Sequence, residues 1–86
     1  MRPTALIRSL LVLRLIRQAT KQQEQYVRLQ LQEASVKLLE VEDREMDIRV
    51  RFLDHGFEQE VCYPRVTLLA EAEALTTLWK HWSYSR

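Results

Sequence analysis

The only glycine of this chain, Gly56, lies between two runs of alternating residues, and this arrangement constrains the fold more than any other feature. Apolar and polar side chains alternate throughout residues 46–52 (MDIRVRF) and through most of residues 57–63 (FEQEVCY). Alternation with β-branched and aromatic residues is typical of half-buried strands. A two-residue loop at His55-Gly56 suits the connection, because glycine readily adopts the positive φ that such loops require. The sequence therefore predicts an antiparallel β-hairpin over residues 46–63.

The loop length fixes the register of this hairpin. The predicted pairs are Ile48–Tyr63, Val50–Val61 and Phe52–Gln59 on one face, and Arg49–Cys62, Arg51–Glu60 and Leu53–Glu58 on the other. Apolar residues face apolar residues and an arginine faces a glutamate, which is how cross-strand pairs stabilise a sheet. A competing interpretation continues a helix to Gly56 as its C-terminal cap. We favour the hairpin.

Residues 1–23 (MRPTALIRSLLVLRLIRQATKQQ) predict a basic amphipathic helix from residue 4 to about residue 22. Thr4 can cap the first turn, and apolar residues recur at the spacing of one helix face. Leucine, arginine, glutamine and alanine, which dominate the segment, favour the helix. The apolar stripe includes Leu6, Leu10 and Leu13, and the basic residues of the remaining face include Arg8, Arg14 and Arg17.

Residues 24–45 fit two interpretations. As a helix, they carry an apolar stripe with 4-3-4-3 spacing from Val27 to Val41, and pairs such as Glu40 with Arg44 join acids to bases four residues apart. As strands, they include the alternating stretch VRLQLQ. We predict a helix, because no glycine or proline marks a turn within the segment.

The last part of the chain predicts a helix over residues 65–82. Pro64 ends the preceding strand because it cannot donate a backbone N–H, and Thr67 is the expected N-cap. The helix carries an apolar stripe of Leu68, Ala72, Leu75, Trp79 and Trp82. We therefore predict a single small α+β domain over residues 1–86, with a long N-terminal helical region, an antiparallel β-hairpin and a C-terminal helix. An all-α helical hairpin is the alternative fold.

The net charge of +1 conceals a segregation of charge along the chain. Residues 1–23 contain five bases and no acid, whereas residues 24–63 contain five bases and ten acids. An acid-free, arginine-rich amphipathic helix has the composition of a mitochondrial transit peptide. We therefore predict a mitochondrial location, with the cytoplasm as the alternative. The apolar stretch of residues 5–16 is too short to span a bilayer and contains two arginines.

The sequence contains no recognisable catalytic, nucleotide-binding or metal-binding motif. The one cysteine, Cys62, excludes an internal disulfide, and the predicted register places it far from His55. Four clustered acids lack the spacing and the glycine turn of a calcium loop, and they are predicted to form a solvated charged face; they are Glu40, Glu42, Asp43 and Glu45. We predict that the chain is not an enzyme and has no cofactor, metal site or small-molecule substrate.

The apolar stripes of the first and last predicted helices and of the hairpin have more surface than one minimal core can cover. Some of these stripes are therefore expected to face partners. We predict a non-enzymatic small accessory subunit of a larger multiprotein assembly, within a hetero-oligomer. The alternative is an adaptor that contacts an anionic membrane surface or RNA through its basic N-terminal helix. The predicted partner-binding residues are Leu6, Leu10, Leu13, Arg8, Arg14, Arg17, Trp79, Trp82 and Tyr84.

Overall fold

The protein has an α+β fold of three helices and one three-stranded antiparallel sheet, as the sequence predicts. The computed structural model describes the backbone of residues 3–16 and 20–84, and the side chains of residues 3–16 and 20–81. The elements are α1 (Pro3–Leu15), α2 (Lys21–Glu33), β1 (Val36–Asp43), β2 (Asp47–Asp54), β3 (Phe57–Pro64) and α3 (Arg65–Tyr84). The strands follow one another in the order β1-β2-β3. The all-α alternative is therefore wrong.

The predicted hairpin is confirmed at every predicted pair, with each strand bound displaced by one residue, to Asp47 and Pro64. β2 pairs with β3 in the expected register, with Val50 opposite Val61 and Arg51 opposite Glu60. The turn has φ of 52° at His55 and 85° at Gly56. Positive φ at both central residues is the geometry that matches the right-handed twist of the two strands.

The helix predicted over residues 24–45 is wrong beyond Glu33, because the chain reverses there and continues as β1. Ser35 adopts a positive φ of 58°, and its carbonyl accepts a hydrogen bond from the backbone N–H of His55 at 3.1 Å. Glu40, instead of pairing with Arg44 along a helix, pairs across the sheet with Arg51 at 2.9 Å. A third strand also stabilises a hairpin that would be marginal alone. Pairing with β2 therefore outweighs the helical pattern of this segment.

One predicted helix end and two predicted N-caps are also wrong, whereas the predicted start of the last helix at residue 65 is confirmed. The N-terminal helix ends at Leu15, and α2 begins at Lys21 after a capping box in which Thr20 and Gln23 each accept a hydrogen bond from the other's backbone N–H, at 3.3 and 3.0 Å. Thr4 lies within the first turn of α1, which begins at Pro3. Thr67 lies inside α3, which begins directly after β3.

The core is formed where the helices cover one face of the sheet. α1 packs between α2 and α3, while α2 contacts β1 and α3 contacts the other two strands. Fourteen apolar side chains are buried among the described residues, and six come from α1 and the residue after it. These six are Leu6, Ile7, Leu10, Leu11, Val12 and Ile16. α1 is therefore a central helix, buried on more sides than the single leucine stripe predicted.

Replacing Gly56 with valine should lower the free energy of unfolding by about 1–3 kcal/mol, because a β-branched residue is strained at positive φ. Nothing lies within 4 Å of an added Cβ, so the loss would come from the backbone alone. Urea denaturation followed by circular dichroism measures the change. His55→Asn is the matched control and should not destabilise the fold, because asparagine tolerates left-handed backbone. A Gly56→Val variant as stable as the parent would contradict the turn.

A second prediction concerns Tyr63, whose pKa is raised by burial and whose hydroxyl donates to the Thr4 carbonyl at 2.8 Å. The folded state holds this proton more tightly than the unfolded state. The free energy of unfolding should therefore fall as the pH rises above the ordinary tyrosine pKa of about 10. Tyr63→Phe should flatten this decline and cost about 1 kcal/mol at neutral pH through the lost hydrogen bond. Melting temperatures across this pH range provide the test. Tyr26→Phe, at an exposed position, is the control and should leave the decline intact.

Candidate interaction surfaces

The outer face of the sheet, opposite the helices, carries two arginines that are each held between two glutamates. Arg51 binds Glu40 at 2.9 Å and Glu58 at 3.2 Å. Arg49 binds one glutamate from each neighbouring strand in the same way, Glu42 at 2.6 Å and Glu60 at 3.4 Å. The pKa of Arg49 is raised, first by the attraction of Glu42. Since the acids here outnumber the arginines that they pair with, this face does not favour a polyanion such as RNA.

The edge of this face near the β1–β2 connection is also fixed by ion pairs. Arg44 binds both carboxylate oxygens of Asp47, at 2.7 and 3.0 Å, and this hydrogen bonding is the main cause of its raised pKa. Nη2 of Arg44 also donates to Cys62 Sγ at 3.5 Å. Arg65 pairs with Asp43 at the start of α3. These contacts tie the β1–β2 connection to both β3 and α3.

Three of the four clustered acids form ion pairs with arginines, and the Cys62 thiol accepts a hydrogen bond from Arg44. Glu40, Glu42 and Asp43 each pair with an arginine, whereas Glu45 is exposed. Cys62 is exposed near the far end of β3 from the turn that holds His55, whose imidazole lies 2.7 Å from Asp54. The structure therefore does not bring the thiol and the imidazole together. Among the described residues, no three His, Cys, Asp or Glu side chains are grouped so that they could hold a metal ion.

The predicted partner-binding residues of the N-terminal helix are divided between core and surface. Leu6 and Leu10 are buried in the chain's own core, and Leu13 is half-buried against it. Arg8 binds Glu71 of α3 at 2.8 Å, and Arg14 is exposed. Arg17 lies outside the described residues. A partner can therefore reach the basic residues of α1 in this structure more readily than its leucines.

At the other end of the chain, α3 exposes two leucines beside Trp79, which was predicted to bind partners. Leu75 is 36% exposed, Leu78 is 59% exposed, and Trp79 is half-buried against the core. Their spacing of three and four residues places them side by side on the helix, and we call them the α3 ridge. Leu78 could have been found from this spacing. Trp82 and Tyr84, also predicted to bind partners, have side chains outside the described set.

Comparison with protein-family models, with curated protein sequences and with solved structures gives no match. Within the described part of the chain, no helix has the length and apolar character needed to cross a membrane.

The contrast between the leucines and arginines of α1 can be measured. Leu10→Ala should lower the free energy of unfolding by about 2–5 kcal/mol, because it leaves a cavity at a side chain that is 1% exposed. Arg8→Gln should cost less than about 1 kcal/mol, because its ion pair with Glu71 lies at the surface. Urea denaturation of both variants, with Arg14→Gln as the control for loss of charge, tests this order. Equal effects of Leu10→Ala and Arg8→Gln would contradict the central position of α1.

Proposed function

We propose that this protein is a non-enzymatic small subunit of a larger multiprotein assembly, bound to its partner protein through the α3 ridge. The observation that carries the proposal is the exposure of Leu78 and Leu75 beside the half-buried Trp79. Aromatic and large apolar side chains at the centre of an interface contribute most of its binding energy. A contiguous apolar ridge that is only partly covered by its own chain supports docking against another protein.

The fold also supports a protein partner over a lipid surface. A helix that lies on a membrane inserts its apolar face below the headgroups. In α1 this face includes Leu6 and Leu10, which are buried. Membrane insertion of α1 would therefore open the core, whereas docking through the α3 ridge leaves the fold intact. Contact with RNA would have to use basic residues such as Arg14, which is exposed, with no stacking platform on the paired outer face of the sheet.

We also propose a mitochondrial location, on the basis of the five bases and absent acids of residues 1–23. Because α1 belongs to the core, the targeting segment would have to remain part of the folded protein. Cleavage within this segment would remove buried residues such as Ile7 and Leu10. The proposal thus describes a retained targeting helix that becomes part of the fold after import.

The docking proposal is tested by purifying the tagged chain from its native source and identifying bound proteins by mass spectrometry. Leu75→Gln/Leu78→Gln should lose the partner, because glutamine keeps helix propensity but removes the apolar surface. The control is Met46→Gln/Val66→Gln, which alters two exposed apolar residues outside the ridge. This control should retain the partner.

Circular dichroism and thermal denaturation should show that both double variants are folded. Recovery of the same partner, in the same amount, with the Leu75→Gln/Leu78→Gln variant would exclude the α3 ridge as the docking surface. A partner that is lost from both double variants alike would show that general surface hydrophobicity, and not the ridge, governs the association.

A further inference from the structure

We propose that β1 pairs with β1 of a second copy of this chain, in an antiparallel, two-fold symmetric arrangement that joins the two three-stranded sheets into one. The surface is the free edge of β1, Val36–Asp43, and it is separate from the α3 ridge. A two-fold arrangement uses the same surface on both copies and therefore closes as a dimer instead of growing into a fibre.

The free edge of β1 is accessible. β1 pairs with β2 along one edge, and no residue that the structure describes pairs with its other edge. α2 packs against β1 but leaves a groove of about 580 Å³ beside the strand, lined in part by Arg28, Leu31, Val36 and Lys37. An unpaired edge presents a row of backbone N–H and C=O groups that another strand can bind.

The charges along β1 select a partner strand. Lys37 lies near the start of the strand, whereas Glu40, Glu42 and Asp43 lie in its second half. When two copies run antiparallel about an axis between residues 39 and 40, Lys37 of each copy lies opposite Glu42 of the other. The same register places Leu38 opposite Val41. Apolar pairs and pairs of opposite charge are the ones that stabilise neighbouring strands.

The ion pairs within each chain do not prevent Lys37 and Glu42 from binding each other across the dimer. Lys37 makes no ion pair with any other residue in the described part of the chain, in contrast to Arg49 and Arg51. Glu42 binds Arg49, but its side chain is 41% exposed, and a carboxylate can accept from a second donor. Glu40, which lies beside the axis, is neutralised by Arg51 of its own chain. The repulsion between the two copies of Glu40 near the axis is therefore reduced.

The irregularity of β1 also favours a second β1. Its register with β2 shifts between Leu38 and Glu40, which makes Leu39 an extra residue. Such a bulge usually protects an edge, because a regular incoming strand loses register on one side of it. A second copy carries the same bulge at the axis, so register is kept on both sides. An incoming β3 would instead bring its two exposed acids, Glu58 and Glu60, beside the acidic half of β1.

Analytical ultracentrifugation of the full chain over a range of concentrations should show a reversible dimer. Lys37→Glu and Glu42→Lys should each raise the dimer dissociation constant by about tenfold or more, because each sets like charges opposite one another. Arg49→Gln is the matched control for Glu42→Lys. It removes the ion pair with Glu42 inside the chain but keeps the one between copies, and it should dimerise like the parent.

An equimolar mixture of the Lys37→Glu and Glu42→Lys variants provides the sharpest test. In the mixed dimer both cross-strand pairs again join a glutamate to a lysine, so the mixture should dimerise about as tightly as the parent although each variant alone dimerises more weakly. The double variant Lys37→Glu/Glu42→Lys restores both pairs in reversed order, should also dimerise, and replaces either single variant that fails to fold. Leu75→Gln/Leu78→Gln should dimerise like the parent, which separates this proposal from docking through the α3 ridge.

Three outcomes would overturn the proposal. If the chain is monomeric at every concentration, a second copy is excluded as the partner of the β1 edge, and a segment of another protein becomes the alternative. A dimer that neither charge reversal weakens forms through a different surface. Charge-reversed variants that fail to dimerise when mixed exclude the two-fold register.

Discussion

The burial of α1 between α2 and α3 is the interaction on which the remaining structure depends. A three-stranded sheet of this size cannot shield its own apolar face, and its residues Val50 and Phe52 are nearly inaccessible only because helices cover them. α2 and α3 contact the strands, and α1 holds these two helices together. The hydrogen bond from Tyr63 to the Thr4 carbonyl fastens the start of α1 to the end of the sheet. A central helix increases the fraction of apolar surface that a chain of this size can bury.

The parts of the fold that could be predicted from the sequence are those whose structure depends on residues close together in the chain. Gly56 and the alternation on either side specify the hairpin and its register without reference to the rest of the chain. β1 could not be predicted in the same way, because its residues satisfy a helical pattern as well. What decides its state is the pairing of the whole strand with β2 and the burial of Val36, and the sequence does not show which residues will become neighbours.

The candidate interaction surface was harder to predict than the fold for a related reason. A stripe of leucines shows that a helix face will be covered, but not whether the cover comes from the same chain. Leu10 is covered by its own chain, and Leu78, which the sequence analysis passed over, is exposed. Arg8 is likewise predicted from the sequence to bind a partner, yet it pairs with Glu71 of α3. Surface and core become distinguishable only when all elements have been placed.

The position of α1 in the core has a consequence for the protein during its synthesis. Among the described elements, α1 leaves the ribosome before α2 and the strands, whereas α3, which completes its cover, leaves after them. In the interval the nascent chain exposes the apolar residues of α1 to any chaperone that binds such segments. The same residues that are inaccessible in the mature protein are therefore available for recognition while translation continues.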